Sequence, residues 1–180
     1  TARAVVDAAL TADRRWLDPV ATNRLLSAYG IPMVPLQLAA TANEAALLAD
    51  PLLAVGRTVT LKVLSSQIAR TFDADCVRLN LSSVAAVREA ATGILARARA
   101  AHPTAVIEGV IVQPTVIRPK ARELIAGIAD DPVFGPVIVF GRGGSAVEVI
   151  NDRALALAPL DLRLAHELIG RTRVSRILKA

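Results

Sequence analysis

Apolar residues recur with helical spacing through the alanine-rich residues 1–12, and the pattern resumes after Asp18-Pro19. An acidic cap with proline at the first helical position opens a second helix there, with Leu25, Leu26 and Tyr29 on one face and Gly30 as its stop. Residues 31–35 (Ile-Pro-Met-Val-Pro) read as a short extended edge segment, because neither proline can donate to a ladder. A helix capped near Thr41 or Asn43 follows. Residues 58–64 alternate as a strand, residues 77–81 form another, and Ser82 or Ser83 caps a long helix running through Arg99.

Past the His102-Pro103 break, residues 106–112 and 122–128 read as two strands joined by the loop 114–121. Residues 137–140 and 146–150 read as strands flanking the turn Gly141-Arg142-Gly143-Gly144, and a final helix begins near Leu162, after Pro159. Helices and strands are interleaved, yet several strands are joined by short turns. That order predicts a mixed α+β arrangement rather than a purely parallel sheet. No internal repeat or low-complexity linker interrupts it.

Length and composition narrow the function. With 180 residues and 53% hydrophobic content the chain can bury a core. The net charge of +5 is spread along the chain and thickens only toward Arg171, Arg173, Arg176 and Lys179, while aromatics reach 3%, too few for the stacking platforms of single-stranded nucleic-acid binders. A nucleic-acid partner is therefore not expected. The single cysteine, Cys76, rules out an intrachain disulfide and a zinc cluster built on paired cysteines, and fits a reducing, cytoplasmic compartment. Asp50-Pro51 and Glu108 interrupt the most apolar runs, so no membrane span is expected. The N-terminus lacks a signal-peptide pattern, and both ends read as cuts in a longer polypeptide.

Candidate chemistry concentrates between Asp131 and Val149. Gly141, Gly143 and Gly144 permit a tight turn and a close approach to a ligand. Glu148, between Val147 and Val149 on an expected strand, presents a carboxylate near the mouth of that turn. The layout suits nucleotide or acyl-phosphate chemistry, although a glycine-rich turn between two strands, taken alone, is more often an ordinary hairpin. Asp130 and Asp131 read as caps of the turn before Pro132 rather than metal ligands. His102 and His166 read as structural or solvated, and Cys76 as an inert, half-buried thiol.

Ordered matches then extend along essentially the whole chain: Trp16-Leu17-Asp18-Pro19, Ala28-Tyr29-Gly30-Ile31-Pro32, Leu61-Lys62-Val63, Val77-Arg78-Leu79-Asn80-Leu81, Val112-Gln113-Pro114, Glu123-Leu124-Ile125-Ala126-Gly127, and the glycine turn through Ala158-Pro159-Leu160. Together they resemble the ATP-grasp domain of NDP-forming acyl-CoA synthetases, including forms fused to GNAT-type lysine acetyltransferases. The resemblance implies two α+β lobes with mixed sheets, residues 1–104 and a partial second lobe at 105–180, truncated at its C-terminus. It also implies ATP, Mg2+ held mostly by ligands outside this segment, and coenzyme A as cofactors. A CoA-binding domain, and in some forms a GNAT domain, are the implied partners in the parent chain.

By the same resemblance Lys62 reaches the ATP phosphates from a strand end, where by pattern alone it is an exposed strand lysine. Gln113, with the backbone of Val112 through Thr115, corresponds to the hinge that contacts adenine. Glu123 corresponds to an acid near the ribose or phosphates, or else pairs at the surface with Arg122 or Lys120. Glu148 corresponds to the active-site acid beyond the glycine turn formed by Gly141, Gly143 and Gly144.

One loop departs from the family. Asp73 is kept, but Arg70 stands in place of a phosphorylatable histidine, Thr71 in place of lysine, and Asp75-Cys76 in place of a glycine pair. An arginine cannot carry a phosphoryl group in a histidine relay, and an added aspartate repels a triphosphate. Two functions follow from the resemblance. One is the ATP-binding domain of an acid-CoA ligase, inactive by itself. The other is a non-catalytic domain that senses a nucleotide or acyl-CoA for a GNAT-type acetyltransferase.

Overall fold

The alanine-rich start is helical in the computed structural model, as α1 (Ala2–Thr11), and the next helix, α2 (Pro19–Ala28), is capped by Asp18, whose Oδ1 accepts the Ala21 N–H at 2.8 Å. The structure describes residues 1–14, 16–68, 76–144 and 147–179. It divides into two units, Thr1–Val116 and Ile117–Ala180.

In the first unit, β1 (Gln37–Ala39) begins only after the prolines of residues 31–35, which are not in a strand as expected. Pro32 and Pro35 lack the N–H that a ladder needs, so pairing starts at Gln37. The cap of α3 (Ala42–Ala54) is Thr41, whose Oγ1 accepts the Glu44 N–H at 3.1 Å, and Glu44 Oε2 reaches back to the Ala40 N–H at 2.8 Å. The helix continues through Pro51. Then come β2 (Val59–Leu64), β3 (Val77–Leu81), α4 (Val84–Ala101) with its Ser83 cap, and β4 (Gly109–Pro114). The sheet order is β1-β4-β2-β3. β4 begins later than expected and pairs with both β1 and β2, within the first unit.

Alternation along β2 sends Val59, Leu61 and Val63 into a core with Val110 and Val112 of β4, Ala45 and Ala49 of α3, and Val87, Ala91 and Ile94 of α4. Cys76 belongs to this core, at 5% exposed, more deeply buried than its sequence context implied. The rest of the departing loop, residues 69–75 with Arg70, Thr71, Asp73 and Asp75, lies outside the described residues.

The second unit is a three-stranded meander of β5 (Leu124–Asp131), β6 (Gly135–Arg142) and β7 (Arg153–Leu157), with the short helix α5 (Val147–Ile150) between β6 and β7, followed by α6 (Leu162–Gly170) and α7 (Val174–Leu178). Among the described residues every strand pair in both units is antiparallel, where mixed sheets were expected, because each neighbour in a sheet is reached by a reversal of the chain. The β5–β6 turn is held by Asp131, whose Oδ1 accepts the N–H groups of Val133 and Phe134 at 2.9 and 3.0 Å.

Gly109, at φ +146°, runs so close to the Ala39 carbonyl that a Cβ would overlap it. Gly109→Ala is expected to destabilise the first unit by about 2 kcal/mol or more, through backbone strain and loss of β1–β4 pairing. Urea denaturation followed by far-UV circular dichroism checks this.

Candidate functional site

Lys62 lies on the β2 face opposite the core, half-buried, with Ile111 as its partner on β4. It has no hydrogen-bonded or ion-paired partner among the described residues. It lines a cavity of about 1500 Å3 together with Ala4 and Ala8 of α1, Val20 of α2, and Ser65 and Glu108. A half-buried ammonium without a counter-ion on a cavity wall suits an anionic ligand group.

The side chain of Val112 is in the core, at 1% exposed, so only its main chain is available to a ligand. Pairing with β1 stops at Gln37–Val112, whereas pairing with β2 continues through Gln113 to Pro114, so the β1 side of β4 has no strand partner from Gln113 onward. Thr115 is engaged inside the unit. Its N–H donates to Thr58 O at 2.8 Å and its Oγ1 shares a 2.8 Å hydrogen bond with Thr60 Oγ1. Among the described residues the unpaired edge of β4 therefore starts at Gln113, while Thr115 is engaged within the unit.

In the second unit Glu123 immediately precedes β5, and its carbonyl accepts the Gly143 N–H at 2.8 Å. Glu123 forms no ion pair with Arg122 or Lys120. The glycines have three different roles. Gly141 is inside β6, pressed against the Asp152 carbonyl, so it serves strand packing rather than ligand approach. At Gly143 a Cβ would stand 3.1 Å from the Glu123 carbonyl carbon. Gly144 alone takes the left-handed region, φ +97°, where a Cβ would stand 3.0 Å from Glu123 Oε2. Glu123, Gly143 and Gly144 line one pocket of about 450 Å3 with Arg122, Arg142 and Ile150.

Glu148 is exposed in the first turn of α5, not on a strand, and lies outside that pocket. Val-Glu-Val favours a strand locally, but the chain is tethered on both sides. Asn151 N–H donates to Val147 O at 3.0 Å, and the Arg173 guanidinium donates to Ile150 O at 2.6 Å, closing a helical turn before β7 starts.

Asp152 is a structural centre that the sequence reading missed. At 8% exposed, it accepts the Arg173 N–H on Oδ1 at 2.8 Å and the Val174 N–H on Oδ2 at 2.7 Å, and Arg173 Nε lies 3.6 Å away. Its carbonyl accepts the Arg142 N–H at 2.9 Å. In sequence, Asn151-Asp152 before a strand signals only a turn.

An α+β fold of seven helices and two antiparallel sheets among the described residues is the class these elements define. Residues 8–180 match the ATP-grasp domain family, and the chain belongs to that family. It is 38% identical over 155 residues to the acetate–CoA ligase [ADP-forming] I of Archaeoglobus fulgidus, covering 86% of this chain and 22% of that one. To the beta subunit of acetate–CoA ligase [ADP-forming] I of Pyrococcus furiosus it is 33% identical, over 98% of this chain and 74% of that subunit. Among solved structures, the Ca. Korarchaeum cryptofilum dinucleotide-forming acetyl-coenzyme A synthetase 1 in complex with coenzyme A, Ca-AMPCP and HgCl+ superposes with a TM-score of 0.88 at 32% identity, covering 100% of this chain and 76% of that one. Another structure of that synthetase contains coenzyme A and Mg-AMPPCP, at a TM-score of 0.77 and 29% identity. The relatives described are ADP-forming acyl-CoA ligases, and a fusion to an acetyltransferase rests on the sequence resemblance alone.

Hydrogen bonds hold the Asp152 carboxyl below its ordinary 3.8, led by the Arg173 N–H, with Val174 and the Arg173 charge adding to it against the opposing effect of burial. A lowered folded-state pKa means its stabilising contribution is complete above about 3.8 and is lost as pH falls through the folded value. Asp131 is lowered in the same sense by the Phe134 and Val133 N–H groups. Asp152→Asn is expected to destabilise the second unit at pH 7 and to flatten, though not abolish, the acid-side loss. Urea midpoints at pH 7 and pH 3 measure both effects.

Proposed function

We propose that the chain is the nucleotide-binding domain of an ADP-forming acyl-CoA synthetase, which converts an acid, ATP and coenzyme A to acyl-CoA, ADP and phosphate. The observation that carries this reading is Lys62, an unpaired ammonium on a cavity wall, in a chain whose relatives are ADP-forming acid-CoA ligases. In the reaction a carboxylate oxygen attacks the γ-phosphorus and ADP leaves. The thiolate of coenzyme A then attacks the acyl carbon and phosphate leaves. Lys62 would draw charge from the transferring phosphoryl group, and Gln113 with its neighbouring main chain would hold adenine. Glu123, Gly143 and Gly144 would form a wall against sugar and phosphates, and Glu148 would be the active-site acid.

Magnesium commonly takes one or two protein carboxylates together with phosphate oxygens. Glu123 and Glu148 are two of the exposed acids of the second unit, and the magnesium ligands would come mostly from outside this segment. With Arg70 in place of histidine, any phosphohistidine in the cycle must come from another segment or subunit. A phosphorylated phosphohistidine segment is present in a structure of the Ca. Korarchaeum cryptofilum synthetase.

Calorimetry with ATP and magnesium tests the reading. The chain is expected to bind ATP, and Lys62→Ala to weaken that binding roughly tenfold through loss of a charged phosphate contact. With acetate and coenzyme A added, the chain alone is expected to release no ADP. No binding at millimolar ATP, or binding indifferent to Lys62→Ala, would overturn the proposal.

A further inference from the structure

From Gln113 onward β4 is paired on one side only, and the ladder on that side then loses a donor. Pro114, opposite Val59, has no N–H to give, so the chain leaving β4 is fastened by the contacts of Thr115. Its N–H donates to Thr58 O at 2.8 Å, just before β2, and its Oγ1 shares the 2.8 Å hydrogen bond with Thr60 Oγ1 inside β2. Thr60 is the telling member of the pair. It stands two residues before Lys62, on the same face of β2 by alternation, with Gln113 as its cross-strand neighbour on β4. At 2% exposed its hydroxyl is buried, and among the described residues Thr115 is its one hydrogen-bond partner. A valine at position 60 would continue the apolar run of β2, fill the same space and need no partner, whereas a buried hydroxyl is costly unless it is bonded. Packing alone therefore does not account for a threonine there. The hydroxyl pair joins the strand that presents Lys62 to the segment that leaves β4 at Gln113.

We propose that Thr60 and Thr115 are positioning residues, whose shared hydrogen bond sets the place of residues 113–115 relative to Lys62 so that one ligand meets both. The inference rests on the nucleotide reading above, in which Gln113 and its main chain hold adenine and Lys62 meets the phosphates. Neither threonine is assigned a contact with the ligand. A ligand held at two ends depends on the spacing between them, because the second contact forms only where the first has already placed it. Loss of the hydroxyl pair therefore weakens ATP through the phosphate contact, and only while Lys62 is there to make it.

Calorimetry of the 180-residue chain with ATP and magnesium tests this in a double-mutant cycle of Thr60→Val and Lys62→Ala. Thr60→Val is expected to weaken ATP about fivefold, the worth of one hydrogen bond, and in the Lys62→Ala chain to weaken it by less than about twofold. A threonine with a purely structural role would change the affinity by the same factor in both chains. Thr115→Val is expected to reproduce Thr60→Val, and serves in its place if that variant misfolds. Thr60→Ser keeps the hydroxyl and is expected to restore the affinity. Equal factors with and without Lys62, or no recovery in Thr60→Ser, would overturn the positioning role, and so would loss of the circular dichroism of the fold in both valine variants. The two proposals fail separately. ATP affinity that needs Lys62 but shows no coupling to Thr60 removes the positioning role and keeps the nucleotide reading, whereas affinity indifferent to Lys62→Ala removes the nucleotide reading and the positioning role with it.

Discussion

Burial of Val59, Leu61 and Val63 against α3 and α4 fixes the direction in which Lys62 faces. Successive side chains on a strand point to opposite sides, so a core on one face of β2 puts Lys62 on the other, toward the cavity. A one-residue slip in register would bury the ammonium and expose the core set. The register is secured from both ends of β4. Near Gly109 the backbone packs tightly on Ala39 and fixes β4 against β1, and at the other end Thr60 of β2 and Thr115 share a hydrogen bond that keeps two buried or half-buried hydroxyls satisfied.

The second unit depends on a different device, the anchoring of main-chain groups by Asp152. Its carbonyl holds the Arg142 N–H, and its carboxylate holds the N–H groups of Arg173 and Val174. Arg142 and Val174 both line one pocket, so Asp152 ties together two of its lining segments without lining it itself. This coupling explains why a nearly buried carboxylate is tolerated there: it accepts charge-assisted hydrogen bonds on both oxygens and has a guanidinium beside it.

The glycine turn changes meaning once its neighbours are known. Gly141 and Gly143 are required by close contacts within the protein, to β7 and to the start of β5, and only Gly144 adopts a conformation that disfavours other residues. The positive charge of the pocket thus comes from Arg122 and Arg142 beside the turn, while the turn itself packs closely against Glu123 and Leu124. In an ATP-grasp chain that is 38% identical to an ADP-forming ligase, this separates residues that shape a site from residues that would touch its ligand.

Local chemistry was sufficient for much of the chain. The cap at Asp18, the alternation of β2 and the Asp131 turn each depend on groups within a few residues and were legible in the sequence, and the caps at Thr41 and Ser83 were legible as one of two neighbouring candidates each. Ordered motifs spread along its length carried the family. What the sequence left undecided depends on groups far apart along the chain. Glu148 sits on a helical turn, closed by the Asn151 N–H on Val147 O and contacted from a distance in sequence by Arg173 at the Ile150 carbonyl, where Val-Glu-Val by itself favours a strand. Gly141 faces a neighbouring strand rather than a ligand, and Arg142 joins Arg122 at one pocket, for the same reason. Sequence determined the elements and their order, because capping and alternation are local. Tertiary structure decided which side chains converge, because convergence is set by pairing between distant segments.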